Sequence, residues 1–330
     1  MRHFPLVILM AVVATLSGTV LAQGSANFPA KPVTLISPYP PGNTSDAELR
    51  IYQENLNDLW KPQSLLVDYK PGAGGIIANN FVARSAPDGH TLVYTAATIS
   101  MLPAFRDDLP YDIFKDLSPV ISTTTKIFVL AVHPSFPART YEEYISYAKA
   151  NPGKVTWSTV GAGGALHMTG EWLAAATGIK LSFIHYKGGA QAEVDLIAGR
   201  IDSSPKGAVS ALPQVKAGKI RVLAIITGER SAILPGMRTV AERSPAEFGI
   251  PGFSYPSWVG VLAPGATPPA IVEKLNADFL KAINSPKALK SFEAIDSIIV
   301  GTSSDGFRKL LVSEVAHWKK LVKDNSIRIE

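Results

Sequence analysis

The chain has 330 residues, 46% of them hydrophobic and 18% charged, with 26 glycines, 25 prolines and a formal net charge of +5. This balance excludes disordered and collagen-like polymers and gives a packed globular protein, large enough for one extended α/β unit or for two lobes. The absence of cysteine excludes disulfides, thiolate metal sites and cysteine nucleophiles, and the scattered basic residues lack the concentrated stripe of a nucleic-acid partner.

The N-terminus reads as a secretory leader. Met1 to His3 is positive, Phe4 to Leu16 is almost wholly apolar, and Ser17 to Ala22 is small and mildly polar. Val20 and Ala22 stand at the small −3 and −1 positions, which predicts cleavage after Ala22. The apolar run is shorter than the ~20 residues of a bilayer span, so a soluble exported protein is expected.

Beyond the leader, strand and helix signals alternate. Pro32 to Ser37 predicts a strand, Pro38 to Gly42 a turn, and Ser45 to Leu59 a helix. The pattern recurs with Ser64 to Tyr69 before Gly72 to Ala83, and with Thr91 to Thr95 before a loop rich in Asp and Pro. It continues with Phe128 to His133 before Tyr141 to Ala150, Val155 to Thr159 before Ala165 to Ala176, and Leu181 to Tyr186 before Gln191 to Ala198. Strands at Arg200 to Ser204 and Arg221 to Thr227 follow, and helices at Pro269 to Ile283 and Asp305 to Lys323 close the chain. Such alternation predicts an α/β fold of parallel sheets with helices on both faces.

Sheets of this kind bind ligands beyond the carboxyl ends of their strands, where loops enter helices. Here those loops are glycine-rich: Gly42 to Asp46, Pro71 to Gly75, Gly161 to Gly164 and Lys187 to Ala190. Glycine lets the backbone approach a ligand, and first-turn amides lack internal partners, so these loops suit anions. The GAGG run at Gly161 lacks the spacing of a dinucleotide fingerprint, and there is no phosphate-loop lysine motif, so no cofactor is expected. His90, His133, His167, His185 and His317 are isolated, without a metalloprotease motif or a nucleophile elbow. The sequence therefore reads as a binder and not an enzyme.

A series of short motifs occurs in order. They are YPPG at Tyr39 to Gly42, KPGAGG at Lys70, APDGHTL at Ala86, LPYD at Leu109 and YAKANPGK at Tyr147, then HYKG at His185, LPQVKAGK at Leu212 and WVGVLAP at Trp258. Together they resemble the TctC-like or Bug family, the periplasmic solute receptors of tripartite tricarboxylate transporters, over roughly Phe28 to Glu330. The resemblance implies a bilobal Venus-flytrap protein that captures a small carboxylate and presents it to inner-membrane permease subunits, and we expect a monomer. The lobes are expected at 23–124, 125–256 and 257–330, with a first crossing near the polar run Ser122 to Thr125 and a return near Trp258.

The site residues implied for the first lobe are Tyr39, Pro41, Gly42, Asn43, Thr44, Ser45 and Asp46, with Thr95, Ala97 and Thr98 at the third strand's end. The second lobe adds Val160, Gly161, Ala162, Gly163, Gly164, His167, Tyr186, Lys187 and Gly188. Lys206 and Trp258 complete the set. Against the family pattern, Asn43 replaces a glycine and Ala165 and Leu166 replace hydroxyl residues. Lys206-Gly207 stands where relatives often place Asp-Asn. Lys206 is accordingly expected to meet a distal carboxylate, with Leu166, Tyr39 or Trp258 covering an apolar body, which favours a dicarboxylate with an aromatic or aliphatic spacer over an amino acid. Asp46 is expected to serve first at a helix start, and His167 through packing or a hydrogen bond beside its helix. A receptor that senses for a membrane signalling protein, and an exported hydrolase or lyase, are the alternative readings.

Overall fold

The computed structural model describes residues 27–41, 44–186, 188–295 and 297–325. The leader, Gly42, Asn43 and Lys187 lie outside the described residues, as does the side chain of Thr44. In chain order the elements begin with β1 (Val33–Ser37), α1 (Thr44–Trp60), β2 (Leu65–Tyr69), α2 (Ile76–Ala83), β3 (Thr91–Ala96), α3 (Thr98–Met101) and β4 (Leu117–Thr125). Next come β5 (Phe128–Val132), α4 (Tyr141–Ala150), β6 (Val155–Thr159), α5 (Ala165–Thr177), β7 (Leu181–His185), α6 (Gly189–Ile197), β8 (Ser203–Gly207), α7 (Ala208–Lys216) and β9 (Arg221–Ile225). The chain ends with β10 (Val259–Pro264), α8 (Pro269–Ile283), α9 (Pro286–Ala294), β11 (Ile298–Ile299) and α10 (Ser304–Asn325).

Two sheets result, ordered β11-β4-β10-β3-β1-β2 and β7-β6-β8-β5-β9. They are mixed, whereas alternation alone predicts parallel strands. β1, β2 and β3 are parallel, but β10 runs against β3 and β4, and β5 runs against β8 and β9. The reason is the crossing: a strand arriving from the other lobe enters at the edge where the parallel strands end, and so points the opposite way.

Helical stripes cover both faces of each sheet. On α1, Tyr52, Leu56 and Trp60 recur every four residues and are buried against α8 and α9. The Tyr52 ring meets Phe279 and Phe292 at 5.9 Å each, and Trp60 Nε1 donates to Asp278 at 2.7 Å. Each such aromatic stabilises the lobe by roughly 1.5–3 kcal/mol. The opposite face is closed by α2, α3 and α10 through Val82, Ile99, Phe307 and Leu311. The second sheet packs α4 and α5 on one face around Tyr144, Trp157 and Leu173, and α6 and α7 on the other around Leu196 and Ala211.

Two boundaries differ from expectation. Ser122 to Thr125 is the end of β4 and not a crossing. Its hydroxyls find partners inside the lobe: Tyr52 Oη of α1 pairs with Thr123 Oγ1 at 2.7 Å, and Ser122 Oγ donates to the Val259 carbonyl at 3.3 Å. The chain leaves the first sheet at Lys126 and Ile127. β8 occupies Ser203–Gly207 and not Arg200 to Ser204, so Lys206 and Gly207 are strand residues opposite Val129 and Phe128. The long segment after β9 stays with the second sheet: Val240, Ile250 and Phe253 are buried in its core, and the Tyr255 amide donates to Ile226 at 2.6 Å.

Candidate interlobe binding site

Strand directions decide where a ligand can sit. In the first sheet β1, β3 and β4 end where β10 begins, with Val259 opposite both Ala96 and Thr124. In the second, β6, β7 and β8 end where β5 begins, with Gly207 opposite Phe128. The ligand-type loops of both sheets therefore share the edge that carries the crossings. At the crossing itself Thr125 Oγ1 and Ser257 Oγ pair at 2.6 Å, and Ser257 Oγ donates to the Lys126 carbonyl at 2.8 Å.

The first-lobe edge is built on a buried carboxylate. Glu48, 1% exposed, accepts from Ser297 Oγ at 2.6 Å and Tyr94 Oη at 2.9 Å, and faces Lys126 Nζ at 3.5 Å. Burial, reinforced by the charge of Glu48, pushes the nearby Tyr39 hydroxyl up to about 12 and that of Tyr94 well above the usual phenol range. Tyr39 packs its ring edge-on to Tyr94 at 6.3 Å. Ser45 hydrogen-bonds the Tyr94 hydroxyl, and Asp46, buried in the first turn of α1, hydrogen-bonds Tyr69. Pro41 is exposed, Thr95 is buried, Thr98 opens α3, and the Ala97 amide donates to the Trp258 carbonyl at 3.2 Å.

The second-lobe edge presents backbone. The helices α5, α6 and α7 begin at Gly164, Gly188 and Gly207, each without a side-chain cap, so first-turn amides point out of the sheet edge. Gly161 and Gly163 hold φ of 115° and 73°, a conformation that a side chain rarely adopts. Beside Ala162, Val160 is 46% exposed. The helix α5 is brought close by Gly170, where a Cβ would lie 2.6 Å from Phe183 and 2.9 Å from Trp157 Nε1. That indole donates instead to the Leu166 carbonyl at 3.0 Å, fixing the first turn.

The candidate side chains of this edge have partners within the lobe. Tyr186 is buried and donates its hydroxyl to Asp195 at 2.9 Å. Lys206 Nζ donates to Glu193 at 2.7 Å, with only 10% of its side chain exposed. His167 is buried, and its Nδ1 accepts from the Gly163 amide at 3.0 Å. His185 pairs through Nδ1 with Thr159 Oγ1 at 2.5 Å, and burial, then the nearby His167, holds its ring below the usual imidazole range. Trp258 is a core residue at the crossing, edge-on to Phe307 at 5.1 Å.

This architecture agrees with what other proteins show. The family described as tripartite tricarboxylate transporter family receptor, TctC, matches residues 49–327. The chain belongs to that family. The protein BugT of Bordetella pertussis is 30% identical over 98% of both chains. A Rhodopseudomonas palustris protein solved with adipate is 29% identical at a TM-score of 0.77, covering 91% of this chain and 99% of its own. MatC of the same organism, solved with malate, is 26% identical at a TM-score of 0.74, covering 89% and 100%. The TctC receptor is thus a periplasmic solute-binding protein with the bilobal periplasmic-binding-protein fold, and not an enzyme. Among the described residues no helix is long and apolar enough to cross a membrane.

Two acidic residues escaped the sequence reading. Glu48 lies on the same stripe of α1 as Tyr52 and Leu56, and Glu314 on the stripe of α10 with Phe307, Leu311 and Trp318. A carboxylate on an apolar stripe is the signal that could have found them. Glu314 accepts from Ser100 Oγ at 2.6 Å and Trp258 Nε1 at 2.8 Å, and burial pushes it up to about 7 against those bonds. It borders a cavity of about 250 Å³ behind the crossing, lined also by Lys126, Thr227 and Ser257. Nearby, α5 of the second lobe meets α10: the Trp172 ring lies 4.4 Å from His317 and 5.9 Å from Trp318, over the buried Met101 and Met168.

Proposed function

We propose that this TctC receptor binds a small dicarboxylate with an aliphatic or aromatic spacer between its lobes and delivers it to a tripartite permease. One feature carries the reading: three glycine-started, uncapped helices, α5, α6 and α7, open at the cleft edge of the second sheet, across from the start of α1. Oriented amides and helix dipoles favour carboxylates without a counter-charge. The adipate and malate held by two neighbours are acids of this class. In this reading one carboxylate sits between the loop from Tyr39 to Asp46 and the loop from Val160 to Gly164, with the Ala97–Thr98 turn beside it. Lys206, held by Glu193, serves the second carboxylate. An α-ammonium group would meet that lysine unfavourably, so amino acids are disfavoured. The working unit is a monomer exported by the leader and cleaved after Ala22.

A thermal-shift screen of the purified mature protein with adipate, malate, terephthalate and glutamate tests this. A cognate acid at a hundredfold its Kd raises Tm by on the order of 5 °C. Stabilisation by glutamate and by none of the ammonium-free acids would defeat the assignment.

A further inference from the structure

We propose that His167 positions the second-lobe ligand loop through its unprotonated Nδ1, and that protonation of this ring opens the loop and releases the bound acid as pH falls. The inference rests on the carboxylate-binding reading for its consequence, but not for the lock itself.

His167 is the third residue of α5, and its ring reaches back to the amide before the helix start, that of Gly163, at 3.0 Å. A side chain at this position usually closes a helix start as Glu or Gln, which stay acceptors across the neutral range. Imidazole does not: Nδ1 accepts only while it carries no proton, and histidine is the side chain that changes charge between about pH 5 and 8. Once Nδ1 is protonated, two N–H groups face each other and the Gly163 amide must turn away. Gly163 can turn, because glycine at its φ of 73° is free to leave the left-handed region. The neighbouring Gly161 carbonyl is tied only weakly, by Thr159 Oγ1 at 3.4 Å.

The groups around the ring decide where a proton goes. On α5, Glu171 lies 3.5 Å from His167 Nε2. From β7, the ring of His185 stands at 5.1 Å and repels a second charge, while Phe183 closes the remaining side edge-on at 4.6 Å. The Glu171 side of the ring stays engaged in both states, and the Gly163 side switches.

The test uses the mature protein with adipate as probe. Nitrogen NMR of the imidazole at about pH 8 should show His167 Nδ1 bare and Nε2 protonated. Exchange protection of the Gly163 amide should be lost in the wild type between about pH 8 and pH 5.5. His167→Asn, whose Oδ1 accepts at similar reach but does not titrate, should keep that protection. His167→Gln, which reaches past Gly163 toward Glu171, should lack it at both pH values. Adipate affinity of the wild type should then fall about tenfold more than that of His167→Asn over the same range, a ratio that cancels protonation of the acid itself. A proton on Nδ1 at high pH, or equal pH dependence of Gly163 protection in wild type and His167→Asn, overturns the lock. A lock that opens while adipate affinity tracks pH identically in both proteins overturns its link to release. If the lock opens and no carboxylate binds either protein, the positioning role stands and the carboxylate reading fails.

Discussion

The two faces of the cleft are built by opposite means. The first-lobe face is held by side chains: Glu48 gathers Tyr94, Ser297 and Lys126 around a carboxylate that is almost fully buried. The second-lobe face offers main-chain amides, while its polar side chains are already engaged, Tyr186 with Asp195, Lys206 with Glu193 and His167 with the Gly163 amide. The buried network of the first face is thus a matter of stability, while in the proposed reading recognition is shared by the loop from Tyr39 to Asp46 and the second face. Changes in the Glu48 network should be read mainly as loss of folding free energy, and changes at Lys206 and its partner mainly as altered affinity.

The largest effect that would break this comparison is expected at Glu48. Glu48→Ala leaves Tyr94, Ser297 and Lys126 without their shared acceptor and should cost about 3–5 kcal/mol in denaturant unfolding; a loss within experimental error would remove the distinction. At the crossing, Glu314 should make stability fall with rising pH. Its carboxyl titrates near 4.5 when unfolded and is raised to about 7 when folded, so the folded form binds the proton more tightly between those values. The stabilisation is complete below the lower value and is lost as pH rises through the upper one. Between about pH 5 and 8 the unfolding free energy of the wild type should drop by about 2–3 kcal/mol relative to Glu314→Gln. Smallest, and sharpest for the second face, is the pair at Lys206. Glu193→Gln should strengthen adipate binding about tenfold and Lys206→Met weaken it about tenfold, with a monocarboxylate affected by neither. Equal responses of mono- and dicarboxylates in calorimetry would take Lys206 out of the site.

Much of the fold is legible in the sequence because its strands are short apolar runs and its helices carry regular stripes. What escapes are the strands that break that rule. β4 ends in Ser122 to Thr125, and β8 holds Pro205 and Lys206. Proline argues against an interior strand, and nothing local announces that serine and threonine hydroxyls will bond to a chain segment more than 130 residues away. The loops of the site are legible through glycine, since backbone conformation is a local property. The partners of its side chains are not: Glu48 meets Ser297 across 249 residues and Glu314 meets Ser100 across 214. The expectation for Lys206 came from a basic residue standing where relatives often place an acidic one, and that contrast could not reveal that Glu193, thirteen residues earlier, already engages it.

The place of β10 has a consequence for how the chain is assembled. It lies between β4 and β3 in the first sheet, yet begins only at Val259. Until that strand is made, β3 and β4 are unpaired edges, and the nascent amino-terminal half has no complete sheet. The strands of the other sheet all lie between Phe128 and Ile225, so that unit can form by itself while the rest waits. A chain ending before Val259 would therefore hold all the strands of the second sheet but could not join the two halves of the first, so the carboxyl-terminal segment is what closes the first sheet.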